Sequence, residues 1–180
     1  ALVMRDVDIL ASMAERGLAK VAVSVTTLDG RLARAMEPRA SAPAKRLEAL
    51  RVLVSAGVPA VAMLGPIIPA INDMEIEKIL KAVSLCGVKE ASYIMMRLPL
   101  EEKDLIKEWL EDTFPYRAAK VMAQVRDMRG GRENDPNFGT RMTGTGVYAW
   151  STGRRFQLAA ERLGLNASRL KLRTDLFKRP

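Results

Sequence analysis

The sequence has 180 residues, 48% hydrophobic and 28% charged, with 1 cysteine, no histidine and a net charge of +8. That composition fits a globular domain able to bury a core, and no apolar run approaches the ~20 residues that a membrane-crossing helix needs. One thiol and no imidazole exclude an intrachain disulfide, a Cys/His zinc site, a Ser-His-Asp triad and any iron–sulfur cluster ligated by this chain's cysteines alone.

In chain order, residues 2–4 form a short apolar stub that reads as a strand fragment. The charges at Arg5 and Asp6 argue against a leader peptide, and a cytoplasmic location is expected. Asp6 is placed to cap a helix that stops at Gly17, with Val7, Leu10, Met13 and Ala14 on one face. Residues 20–27, KVAVSVTT, read as a strand. Val21, Val23 and Val25 make a bulky face, and Ala22, Ser24 and Thr26 a small, polar one. In a barrel the bulky face packs under outer helices and the small face looks into the ligand side.

Asp29 opens a short helix to Met36, and Pro38 breaks the pattern. Ser41 is placed to cap a long helix with Pro43 in its first turn, ending at Ala56-Gly57. Leu47, Leu50, Leu53 and Val54 form its apolar stripe; Arg46 and Arg51 lie off it, where solvation is the usual state. The stretch 57–73, GVPAVAMLGPIIPAIND, reads as a buried strand that breaks at Gly65-Pro66 and leads into a long loop. Asp73 is placed to cap a helix that ends near Cys86, a thiol expected to behave as a buried small hydrophobe.

Residues 90–97, EASYIMMR, read as the next strand, with Arg97 at its end. In parallel α/β sheets that end is the functional rim. Helical patterns follow at 101–113 and 116–129. The Gly-, Asn- and Thr-rich residues 130–146 are too long for a plain connector and match no nucleotide-binding glycine motif. A last helix is expected over 150–163. Its tail would be pinned by Leu170, Leu172, Leu176 and Phe177.

Strands alternating with helices imply parallel pairing and right-handed crossovers. The expected class is α/β: a partial (β/α) barrel with outer helices over residues 1–114, and a basic helical extension over 115–180. The charge divides along the same line. Residues 1–114 hold 15 Lys+Arg against 16 Asp+Glu, and residues 115–180 hold 14 against 5. Such an asymmetry suits an anionic partner, most often a nucleic acid, or else a solvated basic tail. Arg126, Arg129, Arg132, Arg141, Arg154 and Arg155, bracketing the Gly-rich loop, are the candidate phosphate contacts. Asp29, Glu37 and Asp73 form no pattern that selects a metal.

Several segments in order and spacing resemble the radical S-adenosylmethionine enzymes: LVMRD, VAVSVTTLD, MEPRAS with RLEALRVLVSAGVP, LGPIIPAIND, YIMMRLP and VRDMRGG. The group most similar is the bacterial proteins related to spore photoproduct lyase, labelled DNA repair photolyase-like. The resemblance implies a parent that cleaves S-adenosylmethionine reductively at a 4Fe-4S cluster and directs the radical at a substrate, with a nucleic-acid lesion as the candidate. In that family three thiolates of a CxxxCxxC loop hold the cluster, and this chain has no such loop. It therefore resembles the C-terminal part of such a protein, inactive alone, with the missing N-terminal half as its partner.

By the same resemblance, Ser24 matches a strand hydroxyl that contacts the cofactor's ribose or amino-acid part. Gly65, Pro66 and Ile67 match a segment whose backbone lies beside the adenine. Arg46 matches a basic residue that can meet the cofactor carboxylate, and Arg97 would face the substrate. No metal ligand is expected in the chain itself. The alternative is a non-catalytic, basic nucleic-acid-binding α/β module.

Overall fold

A computed structural model describes residues 2–99 and 102–176. Three strands, β1 (Val21–Ser24), β2 (Ala60–Ile67) and β3 (Glu90–Met95), form one parallel sheet in the order β1-β2-β3. Val21 pairs with Ala60, and Val61 with Glu90. Around them run α1 (Val7–Glu15), α2 (Gly30–Met36), α3 (Pro43–Ser55), α4 (Ile76–Ser84), α5 (Lys103–Thr113), α6 (Pro115–Asp127) and α7 (Gly146–Arg162). The three expected strands are thus adjacent and parallel, joined by α2 and α3 and then by α4.

The sheet has two unlike faces because β-strand side chains alternate. Leu64, Ala62 and Ala60 of β2 are buried, as are Ala91 and Met95 of β3. They pack with Leu50 and Leu53 of α3 and with Ile76, Ile79, Leu80 and Val83 of α4. On the other face Ala22 and Ser24 are exposed, while Val61, Met63, Ser92 and Ile94 are half-buried. The small residues of β1 therefore lie on an open face, as the alternation implied. One apolar cluster continues from this core through Leu110, Val121 and Val125 to Phe156 and Ala160.

Several local expectations are corrected. Residues 2–4 belong to a 3-10 helix, Leu2–Asp6, so the stub is not a strand. Asp6 makes no side-chain cap, and its carboxylate takes Arg5 instead. No residue of α1 is fully buried, and Met13 is exposed. The cap of α3 is Ala42 rather than Ser41, with Pro43 in the first turn. Asp73 opens a 3-10 turn, Asp73–Glu75, ahead of α4. β2 does not stop at Gly65: it continues through a cis Gly65-Pro66 bond to Ile67, with a register irregularity against β3. The main chain stays extended because Met96 donates to the Ile67 carbonyl at 2.8 Å. β3 ends at Met95, two residues before Arg97, and α7 begins at Gly146, inside the expected loop. Cys86 is buried, as expected.

The tail is held by polar bonds rather than by its leucines. Leu170, Leu172 and Leu176 are exposed, and Phe177 lies outside the described residues. Instead the Asn166 side chain pairs with both Ala91 backbone groups, at 2.9 Å each. The Leu170 amide donates to Glu90, which also takes Lys20. Arg173 donates its backbone N–H to the Gly17 carbonyl at 2.9 Å.

Candidate functional site

A parallel sheet sends the C-terminal ends of all its strands to one rim, so the residues following β1, β2 and β3 meet there. Behind β1 lies a bonded cluster. Arg46 of α3 is 7% exposed. Its Nη1 donates to the Ser24 hydroxyl at 2.9 Å and to the Ser24 carbonyl at 3.1 Å. Its Nε donates to the Ser41 carbonyl, and its Nη2 to the Glu37 carboxylate, both at 2.8 Å. The Thr26 hydroxyl also faces Glu37, at 3.0 Å. Arg46 is therefore not solvated. With these bonds four of the five guanidinium N–H groups are committed, which leaves little to meet a cofactor carboxylate directly.

In the middle of the rim Asn72, 2% exposed, joins three segments. Its Oδ1 accepts from the Ile68 amide at 2.7 Å, and its Nδ2 donates to the Thr26 carbonyl at 2.9 Å and the Pro66 carbonyl at 3.0 Å. Glu75 binds Thr27 and the Leu28 amide, tying the β1 loop to the start of α4. A Cβ on Gly65 would meet Ile94 atoms at 3.1–3.3 Å. Close approach of β3 thus explains this glycine without a ligand. Pro66 is exposed and Ile67 buried.

Asp73, expected as a helix cap, instead accepts from the Tyr148 hydroxyl at 2.7 Å. Burial, reinforced by that carboxylate, raises the Tyr148 pKa and keeps the phenol protonated. Arg155 completes the junction of α7 with α4 by bonding Glu77 at 2.8 Å and the Asp73 carbonyl at 3.1 Å.

Behind β3, Arg97 is half-buried. Beside it Arg129 is 4% exposed and not a surface residue. Its Nη1 donates to the Thr140 carbonyl at 3.1 Å and the Arg141 carbonyl at 2.9 Å. Its Nη2 donates to the Met95 carbonyl at 3.3 Å and the Met96 carbonyl at 2.9 Å. Burial lowers its pKa, opposed by Asp135 and helped by the like charge of Arg97. Arg129 is withdrawn from the phosphate-facing set, because its guanidinium clamps the Gly-rich loop to the end of β3.

The other basic candidates differ in how much charge they leave unpaired. Arg126 pairs with Glu133 at 2.8 Å, as do Lys103 and Lys107. These cations hold Glu133 down to about 2. Arg155 is committed to Glu77. Arg141 lies over the Phe138 ring at 3.9 Å, Arg154 bonds the neutral Gln157, and Arg132 is exposed. Arg132, Arg141 and Arg154 are therefore the members of the set with no carboxylate partner among the described residues.

The rim residues that sequence reasoning missed are Asn72, Glu37, Glu75 and Tyr148. Only Asn72 left a local trace, in its place before Asp73 at the end of a Gly/Pro-broken loop. The donor set does not fit an iron–sulfur cluster. Cys86 is the chain's one thiol, it is buried just after α4, where it donates to the Ala82 carbonyl, and no group of three metal-binding side chains occurs among the described residues. No helix there is long and apolar enough to cross a membrane.

Comparison with known proteins returned no matching curated protein and no matching solved structure. One family model does match. The description is the Radical SAM superfamily, and it covers residues 2–83, from the first 3-10 turn through β1 and β2 to α4. That span is less than half of the chain, and the three-stranded parallel sheet is consistent with a partial radical SAM β/α fold. Residues 2–83, with the Ser24, Arg46 and Gly65-Pro66-Ile67 parts of the rim, are thus similar to that superfamily and support a radical SAM protein.

Proposed function

We propose that this chain is the later part of a radical SAM domain and lends one wall to an S-adenosylmethionine site, with the cluster thiolates supplied from outside it. The observation that carries the reading is the family match over residues 2–83, because that stretch holds β1, β2 and both their rim loops. In this reading the cofactor lies over the open face, with its polar part near the exposed Ser24 and its base beside the backbone of Gly65, Pro66 and Ile67. Arg46 acts at one remove: it fixes the Ser24 hydroxyl and the Glu37 carboxylate rather than holding the ligand. Arg97 faces the substrate. Cofactor chemistry is the cofactor's own; the protein orients it and keeps water out. Alone, the chain is inactive.

The finer reading is a relation to spore photoproduct lyase, in the cytoplasm, with a nucleic-acid substrate. Arg132, Arg141 and Arg154 are then the residues placed to meet phosphates. Titrating isotope-labelled chain with S-adenosylmethionine while following amide resonances tests the wall. Shifts should concentrate at Ser24, Thr26, Gly65 and Ile67, and saturating cofactor that leaves these amides unmoved defeats the reading. Joined to a segment bearing a CxxxCxxC loop, the chain should then support reductant-dependent formation of 5′-deoxyadenosine. Salt-sensitive nucleic-acid binding with no response to S-adenosylmethionine would favour the basic binding module instead.

A further inference from the structure

A groove runs along α7 on the helix-packed side of the sheet, away from the open face. Trp150, Arg154 and Gln157 follow one another at spacings of four and three, so they share one helical face. With Tyr93 of β3 and the segment Thr143 to Gly146, that face bounds a cavity of about 520 Å3. A second cavity of about 490 Å3 continues it, sharing Tyr93, Gly153 and Gln157 and adding Arg169. Gly153 keeps the two joined, since a Cβ there would come within 2.6 Å of the Tyr93 hydroxyl.

Trp150 is 71% exposed, and its indole has no aromatic or hydrogen-bonded partner among the described residues. The other tryptophan shows what a structural indole does here: Trp109 stacks edge-on with Phe114 and donates its Nε1–H to the Ala35 carbonyl at 3.1 Å. An open indole face is a platform for a planar ring. Four residues along sits Arg154, whose guanidinium has, among the described residues, only the neutral Gln157 side chain as partner, at 3.1 Å, and has donors left to form charge-assisted bonds with a phosphate. The Gln157 amide accepts from Arg154 and donates to Glu161 at 2.8 Å, which leaves one N–H and one lone pair for a base edge. Cavities of this volume suit a small ligand, and the surrounding residues 115–180 carry the chain's surplus of positive charge.

We propose that this groove binds a nucleotide unit, its base stacked on Trp150 and its phosphate against Arg154. The unit can be a free nucleotide or one unpaired residue of a single-stranded nucleic acid, which the test separates. The inference stands apart from the cofactor reading, since Tyr93 and Ser24 point to opposite faces of the sheet.

The experiment is a tryptophan-fluorescence titration of the whole chain with AMP, ribose 5-phosphate and a single-stranded oligothymidylate. AMP should quench saturably, and ribose 5-phosphate should bind about tenfold more weakly for want of a base. W150A should lose about tenfold in AMP affinity, measured by calorimetry, while W150F keeps most of it; R154Q should weaken AMP binding but not adenosine binding. An oligonucleotide that binds more tightly than AMP, with steep salt dependence, identifies the single-stranded source; one no tighter identifies the free nucleotide. Failure of both AMP and the oligonucleotide to bind saturably overturns the proposal. So does equal binding of ribose 5-phosphate and AMP, or AMP affinity unchanged in W150A.

Discussion

The two edges of the sheet each end beside a buried arginine, and the two are satisfied in opposite ways. Beyond β1, Arg46 shares its charge with the Glu37 carboxylate, whose side chain is 33% exposed. Beyond β3, Arg129 meets four backbone carbonyls and, among the described residues, bonds no carboxylate. The first arrangement is an ion pair within reach of water, anchored on the strand's last hydroxyl. The second is a clamp, in which one rigid, planar set of donors joins the end of β3 to residues 140–141. A buried charge without a counter-ion is costly unless its hydrogen bonds are nearly complete. The β3 edge therefore depends on one side chain more than the β1 edge does.

The comparison predicts unequal losses. Arg129→Met should be the most damaging of these substitutions, costing about 3 kcal/mol, because four carbonyls lose their donor at once. Arg129→Lys should recover little, since a single ammonium cannot reach both strand and loop carbonyls. Urea unfolding reads the loss, and exchange of the Met95 and Gly144 amides should rise with it. If Arg129→Met unfolds at the wild-type midpoint, the clamp contributes nothing.

Asn72 sits between the two arginines and does neutral work of the same kind. Asn72→Ala should cost about 2 kcal/mol by orphaning the Ile68 amide and the Thr26 and Pro66 carbonyls. Asn72→Asp, which keeps the acceptor but loses both donated bonds, should be no better. Thermal unfolding of the pair gives the answer, and a fully stable Asn72→Asp would mean that only the Ile68 bond matters.

Arg46→Met should be milder, about 1–2 kcal/mol, because the half-covered Glu37 can turn to water. Adding Glu37→Gln should restore part of that loss, the sign of a coupled pair. Adding Asp135→Asn should rescue Arg129→Met less, since Asp135 acts on Arg129 only through its charge and bonds the Thr140 hydroxyl and the Asn137 amide instead. A double mutant cycle at each edge makes the contrast quantitative, and equal rescue at both would erase it.

The sheet was legible because each strand states its own period or run: the alternation of 20–27, the apolar run after Gly57, and EASYIMMR. Parallel order followed from helices lying between them. Strand and helix ends were less legible because side-chain bonding decides them. Nothing in the pattern of α3 distinguishes Arg46 from Arg51, yet Ser24 and Glu37, brought near by the crossover, bury only the first. Arg129 was misplaced for a related reason. It sits in a basic run that reads as surface, and only the return of residues 140–141 supplies the carbonyls that make burial possible. Gly65 invited a ligand-based explanation that the packing of Ile94 already provides.

The smallest expected effect concerns the start of the loop that Arg129 clamps at its far side. Glu133 there receives Lys103, Lys107 and Arg126, at 2.8–3.0 Å. Bonds from Lys103 and Arg126 lead the causes that lower its pKa from 4.5 to about 2. A carboxylate depressed in this way stabilises the fold fully above its unfolded pKa, and the contribution drains away as pH falls through the folded value. The wild-type advantage over Glu133→Gln should therefore be constant above pH 5, shrink between about 4.5 and 2, and vanish below. Glu77, Glu90 and Asp135 are lowered too, so the difference between the two proteins, not the wild-type curve alone, isolates Glu133. The advantage should be modest and fall with added salt, because the Lys103 and Arg126 side chains are 39% and 48% exposed. Melting temperature against pH at two ionic strengths tests both statements. A salt-independent advantage larger than that of Arg129 over Met would place the loop's main anchor on its exposed ion pairs rather than on the buried clamp.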